Sequence, residues 1–436
     1  MDNMKYAEDL ARMVRVKTVT NIGDKEFAEF RALLKELFPN VYAKCEITQV
    51  YENALLFKWK GKSGEKPIVL MGHQDVVPAD DVNWKYPPFS GTIADGRIWG
   101  RGTMDCKNTL YISLRAIEEL IAEGVTPEHD VYVAASDNEE AFGLGAPKTK
   151  DYLKERGVKP FIVLDEGGAI LPEAFPGMTK PFAMVGVLEK GYGDIKFTAK
   201  SKGGHSSSPA KNNPVARLSA FINDIENGKY FKKKMVPQVE EMLKAMSDGM
   251  TGPMKFLLKN VRFFKPVITA ALPKLSPYGN ALMSTTMVFT MTSASNASNV
   301  IPQEAYAVAN MRYIPHQDMD ECLSLLKTLS AKYDLEMEIL EAHASLPPVS
   351  TKSAGYKALN DNIRECFPEI GISPYVIIGG TDARHFQDIG DCVMRFTPML
   401  LHPDQMAGMH GFNESVDVAA LGTGVLFMKK LILRNK

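Results

Sequence analysis

Residues 69–78 read VLMGHQDVVP. An apolar run leads into His73, and Asp75 follows two residues later. Side chains alternate across an extended strand, so these two polar groups share one face. Buried polar groups need partners. The plain structural reading is a strand-end histidine capped by a carboxylate, and what strengthens a functional one is recurrence. AASDNEEAFG (134–143) ends another apolar run in Asp137, Glu139 and Glu140, and FIVLDEGG (161–168) ends in Asp165, Glu166 and two glycines. GRGTMDCKNTL (100–110) sets Asp105 just before a helical pattern, where an N-cap is the ordinary role. MHGFNES (409–415) adds His410 and Glu414.

These stretches sit in an alternation of short apolar strands and helical segments, which predicts an α/β domain with a mixed, mainly parallel sheet. In such sheets reactive groups gather where strands end. Two imidazoles and several carboxylates at strand ends form a donor set that suits zinc. Two cations about 3.5–4 Å apart need about five such ligands, one of them shared.

From about Leu188 the texture changes. EKGYGDIKFTAK alternates apolar and polar residues, NPVARLSAFINDIEN is helical, and two strands, a helix and a strand follow. That β-α-β-β-α-β order is ferredoxin-like. The α/β texture returns after Pro347. The reading is a discontinuous catalytic domain, 1–187 and 348–436, interrupted by an α+β domain, 188–347. Residues 228–283 are read as helical decoration on the smaller domain. Their Met235, Met242, Met246, Met250 and Met254, with Phe231, Phe256, Phe263 and Phe264, suit either a packed cover or a pocket wall for apolar groups.

The 436 residues carry 51 basic and 52 acidic side chains, so no net field draws the chain to nucleic acid or an anionic membrane. The five cysteines are scattered, which argues against a disulfide framework and fits a reducing compartment. The first residues carry acids and form an amphipathic helical pattern, unlike a secretory signal. No run of about 18 apolar residues spans a membrane. The expectation is a cytoplasmic protein.

The motifs GHQDVVP, PPFSG, GRGTMDCK, SDNEEAFG, DEGG, GGHSS, NVIP, MRYIP, GGTDARHF and HGFNE occur in the order found in co-catalytic zinc metallopeptidases. The chain resembles that family, which includes aminoacylase-1, carnosinase, succinyl-diaminopimelate desuccinylase and carboxypeptidase S. Its WKYPPFSGTI segment looks most like the carboxypeptidase S and N-fatty-acyl-amino-acid hydrolase branch. The resemblance implies two Zn²⁺ per chain, with Mn²⁺ or Co²⁺ as substitutes. His73 and Asp165 would hold one ion, Glu140 and His410 the other, and Asp105 both. Asp75 would orient His73. Glu139 would be the general base.

By the same resemblance, His205 would stabilise the oxyanion in a partner subunit's site, which implies a homodimer. Asn299, Arg312, Gly380, Thr381 and Arg384 would bind substrate; an arginine fork suits a carboxylate. His129, His316, His343, His385 and His402 match no family position. Cys106 stands where relatives often carry Asp, after a residue whose following peptide bond is cis in the family. The implied reaction is amide hydrolysis on small substrates with a free C-terminal carboxylate. Dipeptides or short peptides are preferred over N-acyl amino acids. An inactive metal-binding protein and a single-metal aminopeptidase are the alternatives.

Overall fold

The computed structural model describes residues 2–175 and 177–436. Its centre is a nine-stranded mixed sheet. The main path runs Glu46–Tyr51, Ala54–Trp59, His129–Ser136, Ser63–His73, Ile162–Asp165, Val393–Arg395, Phe182–Glu189 and Gly371–Ile377. The strand Ser63–His73 is parallel to both neighbours, and Ile162–Asp165 is parallel to Val393–Arg395. His73 is therefore in register with Ser136, and Asp165 with Arg395, so several strands end side by side.

Period-two alternation decides what each face meets. Ile68 and Leu70 point into the main core with the helices Asn3–Arg15, Lys107–Ala122, Ala354–Cys366 and Val418–Arg434, whereas Val69 and Met71 face Leu153 and Phe386 on the other side. Both faces are covered, which is why these strands read as unbroken apolar runs.

The smaller domain is a four-stranded antiparallel sheet in the order Thr286–Ser293, Glu304–Tyr313, Gly191–Lys200, Glu336–His343. The helices Pro214–Asn227 and Met319–Lys332 bury Phe221 and Leu326 against its Phe197. Asn213 starts the first of these helices: its side chain accepts from the Val215 amide at 2.9 Å, and Pro214 occupies the first turn. The ferredoxin-like expectation is met.

Two features depart from the sequence reading. The fully buried strand Phe182–Glu189 belongs to the large sheet and runs directly into Gly191–Lys200, so one nearly continuous extended stretch serves both domains. The helices Pro237–Met246, Gly252–Lys259, Val261–Leu275 and Pro277–Met283 do not decorate the smaller domain. They pack on the large sheet beside Gly371–Ile377, where Met235, Met242, Met246 and Met250 join Phe182, Met184, Leu188 and Val376 in one core. The physical reason is that these last strands carry an apolar face that would otherwise be bare. Those methionines are core, while Met254, Phe256 and Phe263 are exposed. Among the described residues no helix is long and apolar enough to cross a membrane.

Candidate metal centre

The carboxylate of Asp105 lies between two imidazoles. Its Oδ1 is 2.9 Å from His73 Nε2, and its Oδ2 is 3.0 Å from His410 Nε2. Glu140 Oε2 is 3.0 Å from the same His410 nitrogen, and Glu166 Oε1 is 3.2 Å from His73 Nε2. His73, Asp105, Glu140 and His410 thus come from a strand end, a turn before a helix, a loop after a strand and a C-terminal turn. They meet because the parallel strands end together.

Asp75 supports this centre. The His73 Nδ1 is 2.8 Å from the Asp75 carbonyl oxygen and 3.4 Å from its Oδ1. The Asp75 carboxylate accepts from the amides of Glu139 and Glu140, at 3.1 and 3.2 Å, and from the Thr20 hydroxyl at 2.9 Å. One buried carboxylate therefore fixes both the imidazole and the turn that carries the two glutamates.

Asp165 departs from its implied place. Its Oδ1 accepts from the Glu166 amide at 2.9 Å and its Oδ2 from the Ala383 amide at 2.8 Å, so both oxygens hold backbone. Glu166, its neighbour in DEGG, presents its carboxylate to His73 instead. Consecutive residues at a strand end face opposite ways, and sequence does not say which one faces the cavity. The Asp105–Cys106 peptide bond is cis, and the Cys106 sulfur accepts from the His73 amide at 3.1 Å.

The carboxylates crowd one another. Burial, then the nearby Asp105, pushes Glu166 up to about 8. Burial and Asp382 raise Glu139 well above its ordinary value. The His410 imidazole is pushed up to about 10 by its hydrogen bonds to Asp105 and then Glu140. Protons here offset charge that a cation would neutralise. The buried Glu140 Oε1 has no hydrogen-bond partner, as a ligand atom awaiting an ion would not. Two groups, His73–Asp105–Glu140 and His73–Cys106–Glu166, bring ligand atoms close enough to hold a metal. The donor set fits one or two divalent cations.

Glu139, Glu140, Asp105, Glu166 and His410 sit on the wall of a cavity of about 630 Å³. Arg312, Gly380 and Thr381 line it too, as does a broad apolar wall that includes Leu171, Met184, Ile377, Leu401 and Met406. Among the described residues neither Arg312 nor Arg384 has a carboxylate within salt-bridge distance. Arg312 lies over the Tyr192 ring at 4.6 Å, and Arg384 lies over Phe142 at 5.0 Å. A Cβ on Gly380 would sit 3.2 Å from Arg384 Nη1 and 3.9 Å from Arg312 Nη1, so the glycine keeps open the space where two guanidinium groups converge.

His205 and Asn299 are exposed on the smaller domain, in and beside the paired segments Gly204–His205 and Val300–Ile301, and they do not line this cavity. His205 Nδ1 is 2.8 Å from the Ser207 hydroxyl.

Three residues around the site escaped the sequence reading: Glu189, Arg395 and Tyr278. Glu189, fully buried, pairs with fully buried Arg395 at 3.0 Å and accepts from Thr381 at 3.2 Å beneath the cavity. The charged pair closing FAMVGVLEK was the available signal. Tyr278 carries the insertion into the cavity wall. Glu414 accepts from the amides of Gly102, Met104 and Asp105 and from Arg101.

The fold and this centre define a metallohydrolase of the two-domain α/β type. Residues 69–434 match the model of peptidase family M20/M25/M40, and the chain belongs to that family. It is 33% identical over 443 residues to the human N-fatty-acyl-amino acid synthase/hydrolase PM20D1, covering 99% of this chain and 88% of that protein. It is 25% identical to carboxypeptidase S of Saccharomyces cerevisiae, covering 98% of this chain and 83% of that one. The solved M20 family metallo-carboxypeptidase of Sulfolobus solfataricus superposes with a TM-score of 0.74 at 20% identity, covering 100% of this chain and 99% of that one. Human carnosine dipeptidase 1 superposes with a TM-score of 0.69 at 17% identity, covering 99% and 96%.

Proposed function

We propose that this chain hydrolyses the amide bond of N-acyl amino acids whose acyl group is large and apolar. The observation that carries the reading is a single cavity with three kinds of wall. Its floor holds Asp105, which spans His73 and His410 beside Glu139; one side presents the unpaired guanidinium of Arg312; the rest is apolar. The sequence alone favours peptides, but the apolar wall and the size of the cavity shift the preference to the acyl substrate. The reading also draws on the likeness to the N-fatty-acyl-amino acid hydrolase of the human relative.

His73, Asp105, Glu140, His410 and Glu166, with Asp165 behind, would hold two Zn²⁺ ions. When bound, such ions acidify a water and polarise a carbonyl. The chain's own residues do the rest. Arg312, with Arg384 behind it, pairs with the substrate carboxylate and so sets the amide over the floor. Glu139 takes a proton from the attacking water and passes it to the leaving nitrogen. Burial and then the nearby Asp382 raise its affinity for that proton.

The exposed His205 and Asn299 fit a role in the cavity of a second copy, since they do not reach their own. The edge strand Thr286–Ser293, with Val288 and Met291 exposed, supports pairing through the smaller domain.

The test is kcat/KM across N-acyl amino acids of rising acyl length and a set of dipeptides, with elemental analysis of the bound metal. Rates that rise with chain length and collapse in Glu139→Gln at unchanged metal content are expected. Faster turnover of dipeptides than of any long-chain acyl substrate would return the assignment to a peptidase.

A further inference from the structure

The helix Val261–Leu275 has two apolar faces. Val261, Ile268 and Leu272 are buried in the core it shares with the large sheet. On the other side Phe263 is 82% exposed and Val267 61%, with Ala270 and Ala271 exposed beside them, and at the C-terminal end of the helix Leu275 is 75% exposed. The preceding helix, Gly252–Lys259, extends the patch with Phe256, 64% exposed. Phe264 joins the two, its ring 6.0 Å from Phe256 and 5.1 Å from Phe263. A surface helix ordinarily turns charge outward here. A contiguous exposed apolar patch marks an interaction site.

The charge around the patch says what covers it. From Gly249 to Gln303 the chain has no Asp or Glu, and its basic residues are Lys255, Lys259, Arg262, Lys265 and Lys274. Lys265 is paired with Glu240 at 2.9 Å; the other four are exposed and make no salt bridge among the described residues. A second copy seated face to face would set these cations against their own kind. The overall charge of −1 conceals this local asymmetry.

We propose that the helices Gly252–Lys259 and Val261–Leu275 dock on an anionic phospholipid surface. Phe256, Phe263, Val267 and Leu275 enter the acyl boundary, and Lys255, Lys259, Arg262 and Lys274 meet the headgroups. Tyr278, in the next helix, lines the substrate cavity, so docking places that cavity beside the lipid. That consequence rests on the acyl-substrate reading; the docking itself does not.

The test sediments the full chain with phosphatidylcholine vesicles, with and without phosphatidylserine. Binding to the anionic vesicles only, weakened by salt, is expected. Each of Lys255→Glu and Arg262→Glu weakens it by about fivefold or more. Phe263→Ser with Leu275→Ser abolishes it, while circular dichroism shows an unchanged fold. Glu139→Gln binds as wild type does, which separates docking from hydrolysis. Three results would overturn the proposal: no binding of the wild type to anionic vesicles at low salt, undiminished binding of the Phe263→Ser/Leu275→Ser protein, or a lipid-free dimer that the same substitutions convert to monomer.

Discussion

Replacing Glu414 by Gln changes one atom in a fully buried side chain, 0% exposed. Its Oε1 accepts from the amides of Gly102, Met104 and Asp105 at 3.0, 2.7 and 3.1 Å, and its Oε2 from Arg101 Nη1 at 2.6 Å. Arg101, 3% exposed, also donates to the Gly411 carbonyl at 2.8 Å. This pair therefore locks the turn that carries Asp105 to the turn that carries His410. A glutamine keeps one acceptor, but its NH₂ must face either Arg101 or the amides. Breaking a buried pair in this way costs about 3–5 kcal/mol, because a charge is left without its partner. The same change loosens Asp105, and loss of such support weakens metal binding by about 10- to 100-fold. Urea unfolding gives the first quantity, and competition with a chelator gives the second. A variant within about 0.5 kcal/mol of wild type, at unchanged metal affinity, would refute the positioning role.

Arg312→Met removes a charge-assisted contact worth about 1.5–3 kcal/mol, so kcat/KM falls about 10- to 150-fold, mostly in KM; a loss confined to kcat would contradict carboxylate binding. Chelation lowers the melting temperature, since metal at a thousandfold excess over Kd stabilises the fold by about 4 kcal/mol. It is accompanied by proton uptake at carboxylates such as Glu166; a melt and pH trace unmoved by chelator would speak against a bound cation. Lys190 is buried, donates to the carbonyls of Ala281 and Ser284, and has its ammonium pushed down to about 7 by burial, then by Arg312. Between about pH 7 and 10 the unfolded chain holds a proton that the folded one lacks, so stability rises with pH by up to about 1.4 kcal/mol per unit from this group. Lys190→Met should remove that share of the slope, and equal slopes would show a hydrated ammonium.

The periodicities that betray the architecture are local. Apolar runs ending in HQD, SDNEE and DEGG mark strands covered on both faces, and the switch to alternation after Leu188 marks the second sheet. His73, Asp105, Glu140 and His410 stood out because each breaks such a pattern at its end. Phe182–Glu189 was illegible as a separate strand because it and its successor form one extended run whose two halves join different sheets.

What sequence alone determined was the fold class and the kinds of ligand atom, because burial and strand alternation leave a mark on neighbouring residues. Only the tertiary structure decided that Glu166 rather than Asp165 faces His73, that Glu414 holds the Asp105 turn, and that the insertion covers the large sheet while leaving Phe263 in solvent. These outcomes depend on which surfaces meet across hundreds of residues. The free energy of such contacts belongs to pairs that no local window contains.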